Sequence, residues 1–524
     1  MPKAIDLFCG AGGFSEGLLQ AGFDILFSSD KSPMVRDTYM NRHKQLGLIQ
    51  EINTHFELAD INDLTGEFIF DKINSLKVAS KKIGIQDIDA IFGGPPCQGF
   101  SRAGKRDASD PRNMLFHEYL RIVSEIKPKY VVMENVVGLL DMQMLDFPSV
   151  LSSSKLYKGQ NLVSSILEKE FRGLGYTMLK PQILNAYDFG VPQQRKRVIF
   201  LAYRSDVHPL RYPETTNDYF TVGDALELLV HEGQGKNTYA ANSILGRTPN
   251  ITINKPLKNS KLTNMDTSVH SASIIERFSL YEFGENRNSV LSRLRTTGIN
   301  LFEKSPSLFY ETLYQVNFNS NKTAVSETLE ALELNTDIKL TNLCLNHIFK
   351  VLSKIDMESN FKNINIDLLT ELSRKLKCND RKATLSFLEQ IKSKLNFTIC
   401  KEDLHDLLIN GEISNEIADA LLTKKGMRIR LDPNKPSPTI ITLPDDFIHP
   451  YENRCLTVRE MARLQSFDDS FEFLGKRTTG GQMRAKETPQ FTQVGNAVPP
   501  LLAFAVAREV RRAINKNILI KNHA

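Results

Sequence analysis

Over its first two hundred residues the chain alternates short apolar runs with stretches of helical periodicity. Lys3–Phe8 reads as a strand, the turn CGAGG follows, Phe14–Ala21 is helix-like, and Asp24–Ser28 is a second strand closing at Ser29–Asp30. Strand, glycine turn, helix and a strand ending in an acid make one βαβ unit. Residues 31–86 are helical and polar by turns, with Asp60 placed after FELA. The run DIDAIF (Asp87–Phe92) alternates and then turns wholly apolar, as a strand entering a core does. Leu115, Phe116, Tyr119, Ile122, Val123 and Ile126 recur at helical spacing, Lys127–Pro128 stops that helix, and YVVMEN (Tyr130–Asn135) is the next strand. A further helix is predicted near Leu162–Leu174, with strands near Thr177–Leu184 and Arg197–Ala202. This alternation predicts an α/β fold, a doubly wound and mostly parallel sheet with its site at the C-terminal ends of the strands.

From about Ser205 the alternation is lost, and Asn, Ser, Thr and Lys become more frequent. Helical patterns dominate between Ser326 and Lys424, where Leu345, Ile348, Phe349, Leu352 and Ile355 form an apolar stripe that reads as core. Apolar order returns at PTIITL (Pro438–Leu443). Thr457-Val-Arg-Glu has the form of a capping box, and a last helix is expected from about Leu501 to Ile514. The expected organisation is a first part over 1–204, a second, smaller domain with a helical insertion over 205–435, and a return segment over 436–524 that completes the first part.

Composition changes this picture little. Hydrophobic residues make up 41% and charged residues 24%, ordinary values for a globular protein. A net charge of +5 permits an acidic partner without requiring one. The six cysteines are scattered without metal-ligand spacing, which points to a reducing compartment and no structural zinc. With no leader pattern and no apolar run of membrane-spanning length, a cytoplasmic protein is expected.

Candidate chemistry gathers at the predicted strand ends. In GGPPCQGFS (Gly93–Ser101), Cys97 follows two prolines of restricted φ and precedes a glycine-bearing polar run, a plausible frame for a reactive thiol under a closing loop. A lone cysteine is more often a small buried hydrophobe, so its neighbours must decide. The turn Phe8 to Gly13 lets a ligand approach the backbone, but Ser15 stands where the dinucleotide fingerprint needs glycine. Asp30, at the end of the next strand, can take both hydroxyls of a ribose. Together they suggest a nucleoside cofactor that need not carry a pyrophosphate. Glu134, at the end of an apolar strand, is costly to ionise, which suits it to donating a proton near neutral pH; a structural ion pair is the plainer alternative. Arg195 and Arg197, in VPQQRKRVIF, are expected on one face of an entering strand, where one or both could bind an acceptor oxygen or neutralise Glu134.

These segments carry a resemblance. AIDLFCGAGGFSEGL, GGPPCQGFS, MENV, QQRKRVIF, RCLTVREMARLQSF and QVGNAVPP resemble, in order, the motifs of the cytosine-C5 DNA methyltransferases, over roughly residues 4–204 and 436–510. The resemblance implies a Rossmann-like fold that uses S-adenosyl-L-methionine, with 205–435 in the place of a target-recognition domain. It implies Cys97 as nucleophile at cytosine C6, Glu134 at N3 and the exocyclic amine, and Arg195 near O2. For the cofactor it implies Phe8, Gly10, Ala11, Gly12, Gly13, Asp30, Asp60, Ile61, Pro96, Leu115, Asn496 and Ala497. For DNA it implies Gln98, Ser101, Arg102, Lys105, Arg106 and Arg197, with the loop after Cys97 closing over a base flipped from duplex DNA. Arg459 and Arg463 are expected to be structural. No metal is expected, the protein is expected to act as a monomer on DNA, and pairing with a restriction endonuclease is implied by the bacterial members. A tRNA cytosine methyltransferase and a catalytically inactive DNA-binding scaffold are the competing readings.

Overall fold

The computed structural model describes residues 1–78, 82–96, 114–152, 154–227, 238–258, 261–334, 341–378, 380–479, 483 and 486–523. In its first half these form β1 (Lys3–Leu7), α1 (Gly13–Gln20), β2 (Asp24–Asp30), α2 (Pro33–Gln45), β3 (His55–Leu58), α3 (Gly66–Asn74), β4 (Ala90–Gly93), α4 (Leu115–Ile126), β5 (Tyr130–Asn135), β6 (Gln143–Pro148), β7 (Leu156–Leu162), α5 (Val163–Gly173), β8 (Tyr176–Met178), β9 (Gln182–Asn185) and β10 (Lys196–Arg204).

The main sheet runs β3-β2-β1-β4-β5-β10-β8, with β9 also paired to β10. The five strands from β3 to β5 are parallel, and β10 is antiparallel to β5, β8 and β9. The order reverses between β1 and β4, where Leu7 is in register with Gly93. A crevice outside the C-terminal strand ends at such a reversal is where open α/β sheets bind ligands.

Alternation along each strand explains why both faces are covered. Ile5, Leu7, Ile91, Val131 and Met133 join one core with α3, α4 and α5, while Ala4, Ala90, Phe92, Tyr130 and Val132 join another with α1 and the long helix Pro500–His523. α4 buries Tyr119, Leu120, Val123 and Ile126 completely, each such side chain contributing about 1.5–3 kcal/mol. The Tyr119 hydroxyl donates to the Val132 carbonyl at 2.9 Å, so the one polar group of that buried side chain is paired.

Three elements differ from expectation. The strand predicted over 177–184 is two strands, because Pro181 cannot donate to a ladder. The hairpin β6–β7 was not predicted, as its outward residues mask the alternation. The last helix continues from Ile514 to His523.

The described chain divides into two compact units. One comprises Met1–Asp266, Asp432–Pro444 and Thr457–Ala524; the other, Thr267–Leu431 and Asp445–Leu456. Residues 205–266 therefore belong with the sheet: the Tyr212 hydroxyl donates to the Ile199 carbonyl at 2.8 Å and the Thr248 hydroxyl to Glu16 at 2.6 Å. The change of texture at Ser205 marks irregular backbone, and the unit boundary lies at 266. The second unit is helical, with the stripe Leu345, Ile348, Phe349, Leu352 and Ile355 in its core.

Candidate functional site

The turn after β1 has the geometry that its composition requires. Phe8, Gly10 and Gly12 have φ of 56°, 53° and 99°, all left-handed, and Gly12 caps α1. At Gly10 a Cβ would meet nothing within 4 Å, so the backbone faces open space at the strand end. At Gly13 a Cβ would overlap the Val498 carbonyl, so glycine is needed for close approach. Ala11 is buried and Phe8 packs on the α3–α4 core.

Asp30 closes the turn from the end of β2. Its carboxylate accepts from the Gly10 N–H at 3.1 Å and the Ser32 N–H at 2.9 Å. Burial pushes its pKa up, and these N–H groups oppose the rise. At the neighbouring strand end Asp60 accepts from the Asn62 N–H at 3.2 Å and pairs with Lys31 at 3.5 Å. Ile61 and Leu115 are buried in one cluster, and Arg121 of α4 ties them by donating to the Ile61 carbonyl at 3.0 Å. Ala497 is nearly buried and Asn496 exposed, both one or two residues from the Val498 that meets Gly13. Phe8 to Gly13, Asp30 and Ala497 thus stand about the C-terminal ends of β1 and β2, and Asp60, Ile61 and Leu115 about the end of β3.

Beneath this turn lies a group that the sequence reading missed. Asp6, 1% exposed, accepts from the Ser15 hydroxyl at 2.6 Å, and Tyr39 bonds both Ser15 at 2.8 Å and Ser28 at 2.6 Å. Burial, with Asp30 nearby, pushes the Asp6 carboxyl up to about 7. The signal was an acid within the apolar strand KAIDLF.

On the other side of the reversal, β4 runs out through Gly94, Pro95 and Pro96. Asn135 donates its side-chain amide to the Pro95 carbonyl at 3.1 Å, and a Cβ at Gly94 would lie 3.1 Å from Glu134 Oε2. Glu134 is 8% exposed and pairs with Arg197 at 2.8 Å. Cys97, Gln98, Ser101, Arg102, Lys105 and Arg106 lie outside the described residues.

The two arginines separate. Arg197 is on β10 and faces Glu134, whereas Arg195 is 1% exposed and donates to the carbonyls of Ile440 at 3.0 Å, Gly495 at 2.9 Å and Ala497 at 3.1 Å. The expectation of a shared face fails because β10 begins at Lys196. Residue 195 belongs to a tight turn in which its N–H donates to the Gln193 carbonyl at 3.0 Å, so strand alternation does not reach it. Arg463 pairs with Asp469 at 2.7 Å and Arg459 donates to the Asp468 carbonyl at 3.0 Å; both are fully buried, in keeping with structural roles.

A nucleoside cofactor fits this crevice: the open backbone at Gly10 admits a ligand, and Asp30 presents carboxylate oxygens at the strand end. The acid–arginine pair on β5 and β10 sets a carboxyl group and a guanidinium side by side at the same end of the sheet.

Comparisons with known proteins bear on the same chain. Residues 2–512 match the family model described as C-5 cytosine-specific DNA methylase. The chain is 29% identical over 507 residues to the type II methyltransferase M.DdeI of Desulfomicrobium norvegicum, covering 97% of this chain and 88% of that one. It is 26% identical over 525 residues to the type II methyltransferase M.AgeI of Thalassovita gelatinovora, covering 98% and 100%. A solved structure of a candidate DNA modification methyltransferase from an E. coli prophage shares the fold, at a TM-score of 0.55 and 20% identity, over 98% of this chain and all of that one.

Proposed function

Because the chain belongs to the C-5 cytosine-specific DNA methylase family and is thereby a DNA cytosine methyltransferase, we propose that it methylates C5 of a cytosine flipped out of a specific duplex sequence, through a covalent adduct with Cys97. Cytosine C5 is a poor nucleophile in water. Addition of the Cys97 thiolate at C6, with a proton delivered toward N3 by Glu134, converts the ring to an enamine whose C5 is nucleophilic. Bound S-adenosyl-L-methionine supplies the electrophilic methyl group. Asp30 would hold its ribose, Gly10 to Gly13 would border its methionine portion, and Phe8, Asp60, Ile61 and Leu115 would meet the adenine end. Loss of the C5 proton to a base then allows the cysteine to leave.

The observation that carries this reading is the Asn135–Pro95 hydrogen bond beside the Glu134–Arg197 pair, because it fixes the chain two residues before Cys97 against the acid. In this reading Arg197 takes the place beside the acceptor that the resemblance implied for Arg195. Its guanidinium would orient the Glu134 carboxyl and supply the countercharge for the carboxylate left once the proton has passed to N3. The second unit would read the target sequence, and the loop after Cys97 would close over the base. The likeness to type II methyltransferases over nearly the whole chain supports protection of DNA from a partner restriction endonuclease.

The test is transfer of a labelled methyl group from S-adenosyl-L-methionine to duplex DNA by the wild type and by Cys97→Ser. Transfer is expected for the wild type alone. Duplexes carrying 5-fluorocytosine at the target should accumulate a protein–DNA adduct stable in denaturant; turnover by Cys97→Ser, or transfer to tRNA in preference to duplex DNA, would overturn the reading.

A further inference from the structure

We propose that Arg195, with Gln193, is a positioning residue: it latches the returning segment of the chain to the catalytic strand and so completes the cofactor crevice without touching the acceptor base. The inference rests on the reading above for the crevice's occupant, and on geometry alone for the latch.

Four stretches distant in sequence meet here within one unit. The Arg195 guanidinium donates to the Ile440 carbonyl and, at the end of the helix Gln490–Asn496, to the carbonyls of Gly495 and Ala497. Those last two are among the terminal carbonyls that a helix cannot satisfy internally, and a cation is favoured beside them. Gln193 uses both ends of its amide. Its oxygen accepts from the Ile440 N–H at 2.8 Å, and its nitrogen donates to the Leu464 carbonyl and to Gln465 Oε1, both at 3.0 Å. Gln465 passes the chain on, donating to the Val494 carbonyl at 2.8 Å. Gln193, Gln465 and Arg195 are 0%, 0% and 1% exposed. Polar groups this deeply buried are costly to leave unpaired, so the returning backbone is held in one place.

What that place accomplishes is visible one residue on. Val498 lies against Gly13 so closely that a Cβ there would overlap its carbonyl, and Asn496 and Ala497 come with it. The turn is formed from the start of the chain, but its outer wall arrives from residue 494 onward. Arg195 is the side chain that couples that wall to the strand bearing Arg197. Its enclosure and its bonds to the Ile440, Gly495 and Ala497 carbonyls turn it from the acceptor, which in this reading is met by Glu134 and Arg197.

Three measurements on the full chain test this, using Arg195→Lys, Arg195→Met and Gln193→Ala. The first is amide hydrogen exchange over residues 490–500 without any ligand. The second is the Kd of S-adenosylhomocysteine by calorimetry. The third is kcat and KM for the methyl donor on substrate DNA. Arg195→Met should speed exchange over 490–500 by about tenfold or more while residues 130–135 stay protected. It should weaken ligand affinity and raise the donor KM by about 10- to 100-fold, with kcat at saturation within about threefold. Arg195→Lys, which keeps the charge and reaches fewer carbonyls, should recover part of both effects, and Gln193→Ala should resemble a mild Arg195→Met. Unchanged exchange and Kd together with a kcat lowered more than about a hundredfold would overturn the proposal and make Arg195 an acceptor contact. Failure of the wild type to bind S-adenosylhomocysteine would refute the cofactor reading, while the exchange comparison would still decide the latch.

Discussion

The Asn135 side-chain amide donates to the Pro95 carbonyl at 3.1 Å, so the strand that presents Glu134 also grips the chain two residues before Cys97. Asn135 is 2% exposed, and its own oxygen accepts from the Val136 N–H at 2.9 Å. The end of β5 is therefore coupled to the chain at Pro95 through one buried amide.

Asn135→Ala removes that coupling. We expect a loss of about 1–3 kcal/mol in unfolding free energy from urea titration, the cost of stranding a buried carbonyl. The rate of methyl transfer should fall more than stability explains, by about 10- to 100-fold at saturating substrates, because reacting groups must be held to within a fraction of an ångström. A rate within twofold of the wild type would refute the coupling.

Arg197→Ala leaves Glu134 enclosed without its countercharge. Transfer should drop by about a hundredfold or more, the usual size of an acid–base contribution, with cofactor Kd nearly unchanged. Single-turnover kinetics paired with calorimetry separates the two effects; a weakened Kd at constant turnover would place Arg197 with the cofactor instead.

Gly10→Ala and Gly13→Ala should fail differently. At Gly10 the added methyl meets no protein atom within 4 Å, so the penalty is the left-handed φ of 53°, about 1 kcal/mol, while cofactor affinity falls because the methyl enters the open crevice. At Gly13 the methyl meets the Val498 carbonyl, so the stability loss should be larger, about 1–3 kcal/mol. Thermal melting and cofactor titration of both variants check the contrast.

Asp6 predicts a pH dependence of stability. Burial raises its carboxyl from 3.8 to about 7, while Ser15 donates to it, Ser28 lies beyond, and Cys9, Asp30, Tyr39 and Tyr119 are among the titratable groups around it. The folded state therefore holds a proton that the unfolded chain has released above pH 4. Asp6 contributes stability that is fully present below about 4 and is lost as pH rises through about 7, at up to about 1.4 kcal/mol per pH unit. Against Asp6→Asn, which cannot ionise, the wild type without cofactor should lose ground between pH 5 and pH 8. Urea unfolding at both values measures it; a constant difference between the two proteins would refute the assignment.

How much of this was legible in the sequence follows from range of interaction. The glycine turn, the acid at Asp30, the strand to Glu134 and the capping box at Thr457 depend on neighbours a few residues apart, and each stands where its local pattern predicts. The pairing of Glu134 with Arg197 and the withdrawal of Arg195 depend on where β10 starts and on carbonyls some 245 and 300 residues away, which no local pattern encodes. The assignment of 205–266 to the sheet unit likewise rests on contacts with residues such as Glu16 and Ile199.

By itself, then, the order of residues determined the alternating architecture, the glycine-bearing turn after β1, and which side chains have chemistry to offer. Tertiary structure decided which of those side chains meet. Burial obliges each polar group to find a partner, and the partners available to Arg195, Asn135 and Asp6 exist only once distant segments have packed together.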